Sequence, residues 1–178
     1  VIEEARALRP DEQETTLLLA EAYAIGGRIP QARALLDAAA ALHKGRRSKQ
    51  LSAVHRQRAR LELAAGDRAA ALAALTRAFE GDPQNGALAM ELGVLAVELD
   101  EVDVLSRAFR AVTLMRVAAA GSTEGTSLNA RGLAYYHLGR VAFAQGDRRK
   151  ARMLIEKAVA DDPTHEAARA LLEQLKSG

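Results

Sequence analysis

Residues 132–163, GLAYYHLGRVAFAQGDRRKARMLIEKAVADDP, read as two helices and a stop. Leu133, Tyr136, Leu138, Ala142 and Phe143 supply apolar positions for the first helix. Gly146-Asp147 interrupts it. Ala151, Leu154, Ile155, Ala158 and Val159 then recur at helical steps. Asp162-Pro163 closes the second helix, because proline has no amide proton to donate and restricts the residue before it.

The same outline recurs upstream. Gly66-Asp67 is followed by Ala71, Leu75, Ala78 and Asp82-Pro83, at the offsets of 5, 9, 12 and 17 from the glycine that Ala151, Ile155, Ala158 and Pro163 keep from Gly146. An earlier copy has Gly27, Ala32, Leu36 and Ala39 without the closing proline. In another, Asp100 takes the glycine's place ahead of Leu105, Phe109 and Val112. The pattern predicts an all-α chain, an α-solenoid of antiparallel helix pairs. No segment alternates apolar and polar residues long enough to argue a strand.

Composition narrows the functional classes. Of 178 residues 49% are apolar but only 3% aromatic, and alanine dominates, which suits closely packed helices. The many alanines and few aromatics are bacterial in style. Cysteine is absent, so disulfides, thiolate nucleophiles and cysteine-ligated metals are excluded. No apolar run is long enough to span a membrane, and the opening VIEEARAL is not a signal peptide. The formal charge of +2 gives little general attraction for nucleic acid. Its distribution is uneven: residues 38–61 hold seven Lys or Arg and no acid, and residues 80–104 hold seven Asp or Glu and no base. Mutual attraction of these two blocks is one expectation.

Along the chain, Ile2, Ala5 and Pro10 stand at the spacing of Leu75, Ala78 and Pro83, so residues 1–10 read as the second helix of a partial repeat. Helices follow over 13–24, 33–42, 50–65, 68–80, 85–99, 102–117, 128–144, 148–160 and 164–176. The basic connection Lys44-Gly45-Arg46-Arg47-Ser48-Lys49 separates the second from the third. Residues 118–131 form an insertion whose glycines, Gly121 and Gly125, mark a mobile loop; it either lengthens the flanking helices or loops out beside a groove. The half-polar helix 164–176 reads as a cap.

These residues resemble the tetratricopeptide repeat family, whose 34-residue unit carries small residues at set positions. The closest copy matches through Tyr135, Leu138-Gly139, Ala142, Gly146, Ala151, Ile155, Ala158 and Pro163. The resemblance implies repeats over 13–44, 52–83, 86–117 and 132–163. It implies a noncatalytic scaffold that binds a peptide or helix in a concave groove lined by the first helix of each repeat. Carried onto this chain, the groove positions include Arg56, Arg60, Leu63, Met90, Val94, Val97, Tyr136, Arg140 and Phe143. They suggest an apolar floor with an arginine rim and a partner that is apolar and acidic, or amphipathic.

Some family members hold a C-terminal carboxylate with a Lys/Asn clamp. The matching positions here are Leu17, Glu21 and Gln57, so the clamp is absent. The alternative role is a structural or regulatory arm of a larger enzyme or envelope assembly protein with no ligand of its own. Self-association through the partial N-terminal repeat is a further expectation. A nucleic-acid partner ranks third, because no aromatic residue interleaves Lys44, Arg46, Arg47, Lys49, Arg56, Arg58 and Arg60. His43, His55, His137 and His165 match no metal-site spacing, and no phosphate-binding loop occurs. No cofactor, metal or catalytic residue is therefore expected. Either the cytoplasm or a bacterial envelope or periplasm fits such a chain.

Overall fold

The computed structural model describes residues 10–43, 47–117 and 125–177. The expected partial repeat at 1–9, part of the basic connection (44–46) and most of the insertion (118–124) lie outside the described residues. Among the described residues the chain folds into α-helices: α1 (Pro10–Ile25), α2 (Ile29–Leu42), α3 (Lys49–Ala64), α4 (Arg68–Gly81), α5 (Gly86–Glu98), α6 (Val102–Leu114), α7 (Leu128–Ala144), α8 (Arg148–Asp161) and α9 (Glu166–Lys176). They divide into two compact units, one ending at Asp82 and the other beginning at Pro83. In the first, α1 pairs with α2 and α3 with α4, α2 packs on α3, and α1 reaches α3. In the second, α5 pairs with α6 and α7 with α8, α6 packs on α7, α5 reaches α7, and α9 packs on α8.

The recurring Gly-Asp has a backbone cause. After α3, the amide of Gly66 donates to Leu63 O (3.0 Å) and that of Asp67 to Glu62 O (2.9 Å). This pair of bonds is a Schellman closure, which needs a left-handed residue just past the helix; Gly66 supplies it at φ 81°. Asp67 then acts a second time, because its carboxylate accepts from Ala70 N and caps α4. Gly146-Asp147 repeats both steps between α7 and α8. Between α1 and α2 the same backbone bonds form at Gly27 and Arg28, and between α5 and α6 at Asp100 and Glu101. Arg28 and Glu101 add no side-chain cap. Asp100 does stand in the glycine's place, holding φ 57° as a non-glycine residue.

Inside each pair a small residue on the first helix faces a large one on the second. Gly93 on α5 lies so close to Phe109 on α6 that an added Cβ would sit 2.5 Å from the ring. Gly139 on α7 stands likewise against Ile155 on α8. The same register positions in the first unit hold Ala20 with Leu36 and Ala59 with Leu75, all buried. Phe109, the largest of these side chains, thus stands against glycine, where no Cβ competes for its space. The core of the first unit clusters around Ala20, Ala32, Leu36, Ala39, Val54 and Leu61. That of the second includes the fully buried Leu88, Leu92, Phe109, Val112 and Ile155.

Several boundaries differ from expectation: α1 and α2 begin earlier, at Pro10 and Ile29, and two further differences have a visible cause. The helix expected to reach Val117 stops at Leu114. Val117 instead bridges Thr126, and Thr126 N donates to Arg116 O at 3.0 Å. Buried Met115 and the backbone of Gly125 lie against Gly86 at the start of α5, so both ends of the insertion are pinned there. The insertion therefore does not extend α6, while α7 begins at Leu128. The last helix starts at Glu166 rather than Thr164, because Asp162 accepts from the amide and hydroxyl of Thr164 and turns the chain first.

Two outcomes follow from this packing. Gly93→Ala is expected to destabilise the protein by roughly 1–3 kcal/mol through overpacking. Combining it with Phe109→Leu should cost less than the sum of the single changes in urea denaturation, whereas strict additivity would contradict the volume match. Asp100→Gly should raise stability by about 1 kcal/mol by removing left-handed strain, read from the same transitions.

Candidate partner-binding surfaces

The nine expected groove residues fall on both units. Arg56, Arg60 and Leu63 are on α3; Met90, Val94 and Val97 are on α5; Tyr136, Arg140 and Phe143 are on α7. Each unit is described by itself.

In the first unit, α1 and α3 leave a notch of about 200 Å³ over the side chain of Leu36. Ala24 and Ile25 form one wall and Leu61 and Ala64 the other. Glu21 and Gln57 contribute polar edges, and Arg60 stands on the α3 side. The notch exists because small residues occupy these positions where the two helices pass. Ile25 is 83% exposed and Leu63 44% exposed, so apolar area extends past the notch into solvent. Arg60 thus lines the notch. Leu63 is an exposed neighbour of the notch rather than part of its wall, and Arg56 is half-buried away from it.

The basic cluster is not uniformly available. Arg58 donates to Glu62 and to Asp37, each at 2.5 Å, and Arg33 donates two hydrogen bonds to the same Glu62. The glutamate is 2% exposed. Its carboxyl is held below the ordinary range chiefly by the hydrogen bond from Arg33, with Arg58 adding to it against the opposing cost of burial. Arg58 is therefore spent on α2 and on its own helix. Its partners are Asp37 and Glu62 rather than the acidic block at 80–104. Glu62 sits at the repeat position where the last copy has Ala142, so the sequence marked it only as a departure from pattern. Its two arginines come from different helices, and only the fold brings them together.

In the second unit, Val94 is exposed, and Met90, Val97 and Phe143 are half-buried. Tyr136 is engaged internally. Its ring lies 4.5 Å from that of His165 and 5.2 Å from that of His137, with the Arg140 guanidinium 5.8 Å from its centre. His137 stacks on Phe109 with centroids 5.1 Å apart and planes 8° from parallel. Burial, then the charges of Arg140 and His165, push its pKa down to about 4. His165 also caps α9, its Nδ1 accepting from Ala168 N at 3.2 Å. The sequence placed both histidines on or beside repeat helices but gave no sign of this ring cluster, which joins α6, α7 and the start of α9. Among the described residues no group of three or more His, Asp or Glu is placed to hold a metal ion.

With fold and surfaces in hand, the chain can be set beside known proteins. The tetratricopeptide repeat family model matches residues 1–46 and 56–104, more than half of the chain, and the protein belongs to that family. Among solved structures, one from work on Pseudomonas aeruginosa pilF superposes with a TM-score of 0.56 at 15% identity, covering 99% of this chain and 69% of that one. The first such domain of Spaghetti (RPAP3), bound to the HSP90 peptide SRMEEVD, gives 0.53 at 16% identity, over 75% of this chain and 97% of that one. BtubC (BKLC) from P. vanneervenii gives 0.54 at 19% identity, over 98% and 75%. At these identities the likeness speaks for the fold alone. It reaches a Pseudomonas protein and the human RPAP3 domain alike, and so does not favour a bacterial style. No curated protein matches the sequence. No described helix is long and apolar enough to cross a membrane.

The half-buried histidine gives a pH signature. His137 has a folded pKa below its ordinary value, so between pH 6.5 and about 4 the unfolded chain holds the extra proton. Stability present above pH 6.5 should fall through that window, by less than the roughly 1.4 kcal/mol per pKa unit of a fully buried group, because the half-buried ring is screened by solvent. His137→Phe keeps a ring on Phe109 and removes the titration. The difference between variant and parent in urea midpoints, followed from pH 7 to pH 4, should grow as the pH falls.

Proposed function

We propose that the protein is a noncatalytic scaffold that binds a protein segment along the surface formed by the first helix of each repeat. Repeats over 13–44, 52–83, 86–117 and 132–163, with 164–176 as cap, would be coiled in the right-handed sense. The observation that carries the reading is the open notch between α1 and α3. Its walls are apolar, Ile25 and Leu63 are exposed beside it, and Arg60 stands at its edge. One apolar side chain of a partner fits that volume, and an acidic neighbour on the same segment fits Arg60. In the second unit, taken by itself, Val94, Val97 and Phe143 would offer apolar contact of the same kind and Arg140 a basic group.

The relative that binds SRMEEVD supports peptide binding as a use of this fold. Here Leu17 and Glu21 replace the polar pair of the carboxylate clamp, and Glu21 would repel an acidic tail at that point. An internal acidic-apolar or amphipathic segment is the better ligand. Tyr136, committed to His137 and His165, contributes to packing rather than to the partner.

Selection of a displayed random peptide library on the whole chain tests this. Enriched peptides should pair a large apolar residue with Asp or Glu. Arg60→Glu should weaken them at least tenfold, and Ala64→Trp, which fills the notch, by a similar factor. Selected peptides that lack acids, or that bind both variants as well as the parent, would refute the reading.

A further inference from the structure

A second cavity of about 310 Å³ opens on a different face of α3, between α2 and α4. Ala40, Ala70, Ala73 and Ala74 leave the space, and Val54 and Leu36 give it an apolar floor. Its polar groups divide into two sets. Asp37 and Glu62 are both engaged by arginines, Arg58 on the first and Arg58 with Arg33 on the second. That leaves Arg77 of α4 as a cation that the cavity's own carboxylates do not match, with the His55 imidazole of α3 lining the same space. His43, which ends α2, adds a further imidazole whose field reaches His55.

We propose that this cavity binds a carboxylate carried on a short alkyl body, with the carboxylate between His55 and Arg77 and the alkyl part on the floor of Val54 and Leu36. The volume suits a few methylenes, and an arginine is suited to pair with a carboxylate. The site is separate from the α1–α3 notch, sharing with it only the Leu36 side chain.

The histidine makes the proposal measurable. Burial, then Arg77, Arg58 and His43, hold the His55 pKa below its ordinary value in the free protein. Asp37 and Glu62 face the same space, but their charges are taken up by Arg58 and Arg33. An anion beside His55 offsets these neighbours and raises its pKa, so binding takes up a proton and tightens as the pH falls.

The test uses the whole chain and sodium butyrate, with sodium chloride and inorganic phosphate at matched ionic strength as comparison probes. Histidine ring resonances are followed by NMR, His55 being identified by its loss in His55→Asn. Butyrate should shift the His55 signals saturably, raise the His55 pKa, and bind more tightly at pH 6 than at pH 8. Arg77→Gln should weaken binding at least fivefold. Ala73→Leu, which fills the cavity from the exposed side of α4, should abolish it while the far-ultraviolet circular dichroism stays unchanged. A linear, non-saturating shift overturns the proposal. So does equal response to chloride or phosphate, or butyrate binding unaffected by both variants. None of these results bears on peptide selection at the notch.

Discussion

Each helix pair hangs on a single left-handed residue. The Schellman closure satisfies the carbonyls at the end of the first helix, and the next residue already begins the second. The reversal takes so few residues that the two helices are held side by side from their first turn, and their facing residues are then set by register. Gly93 meets Phe109 and Gly139 meets Ile155 in this way, each without room for a Cβ, and the matching register positions of the first unit hold the buried Ala20 with Leu36 and Ala59 with Leu75. The turn thus dictates the packing, and the packing dictates where alanine and glycine occur.

Small residues also create the candidate surfaces. A helix face built largely from alanine cannot fill every gap between neighbours. Where large side chains are absent, between α1 and α3 and again between α2 and α4, the first unit is left with open cavities. The polar groups around them behave differently. Arg60 projects at an edge, whereas Arg58 is held by Glu62 and Asp37 in a network that ties α2 to α3. A buried carboxylate shared by two arginines is costly to desolvate and costly to disrupt. Its place in the chain is best understood as fixing the register of α2 against α3. In the second unit the counterpart is apolar: Phe109, His137, Tyr136 and His165 interlock their rings.

Much of this was legible in the chain itself. The offsets of 5, 9 and 12 shared by Gly27, Gly66, Asp100 and Gly146 encode turn and helix, and the proline after the Gly66 and Gly146 copies adds a stop, because each link is local: left-handed backbone, period of apolar residues, proline. The substitution of Asp100 for glycine was readable for the same reason, and its positive φ follows. Local rules were less able to end α6. The apolar pattern runs on to Val117, but Met115 is withdrawn to bury against Gly86 and Val117 pairs with Thr126. Those partners are supplied by distant parts of the chain, and no period in residues 102–117 contains them.

The division between sequence and tertiary structure is therefore one of range. Whatever depends on contacts within a turn or two of helix, including the pairing, the caps and the small-residue positions, was determined by the residues in order. The availability of a charged side chain was not. Arg56, Arg58 and Arg60 look alike in sequence, two residues apart on one helix. Arg58 is neutralised because Asp37 arrives from α2 and Glu62 from one turn further on; Arg60 faces the gap to α1 instead. Likewise nothing near His137 in sequence announces Phe109, which lowers its exposure by stacking on it. Charge and protonation are set by what lies within a few ångströms in space, and only the packing of separate helices decides that.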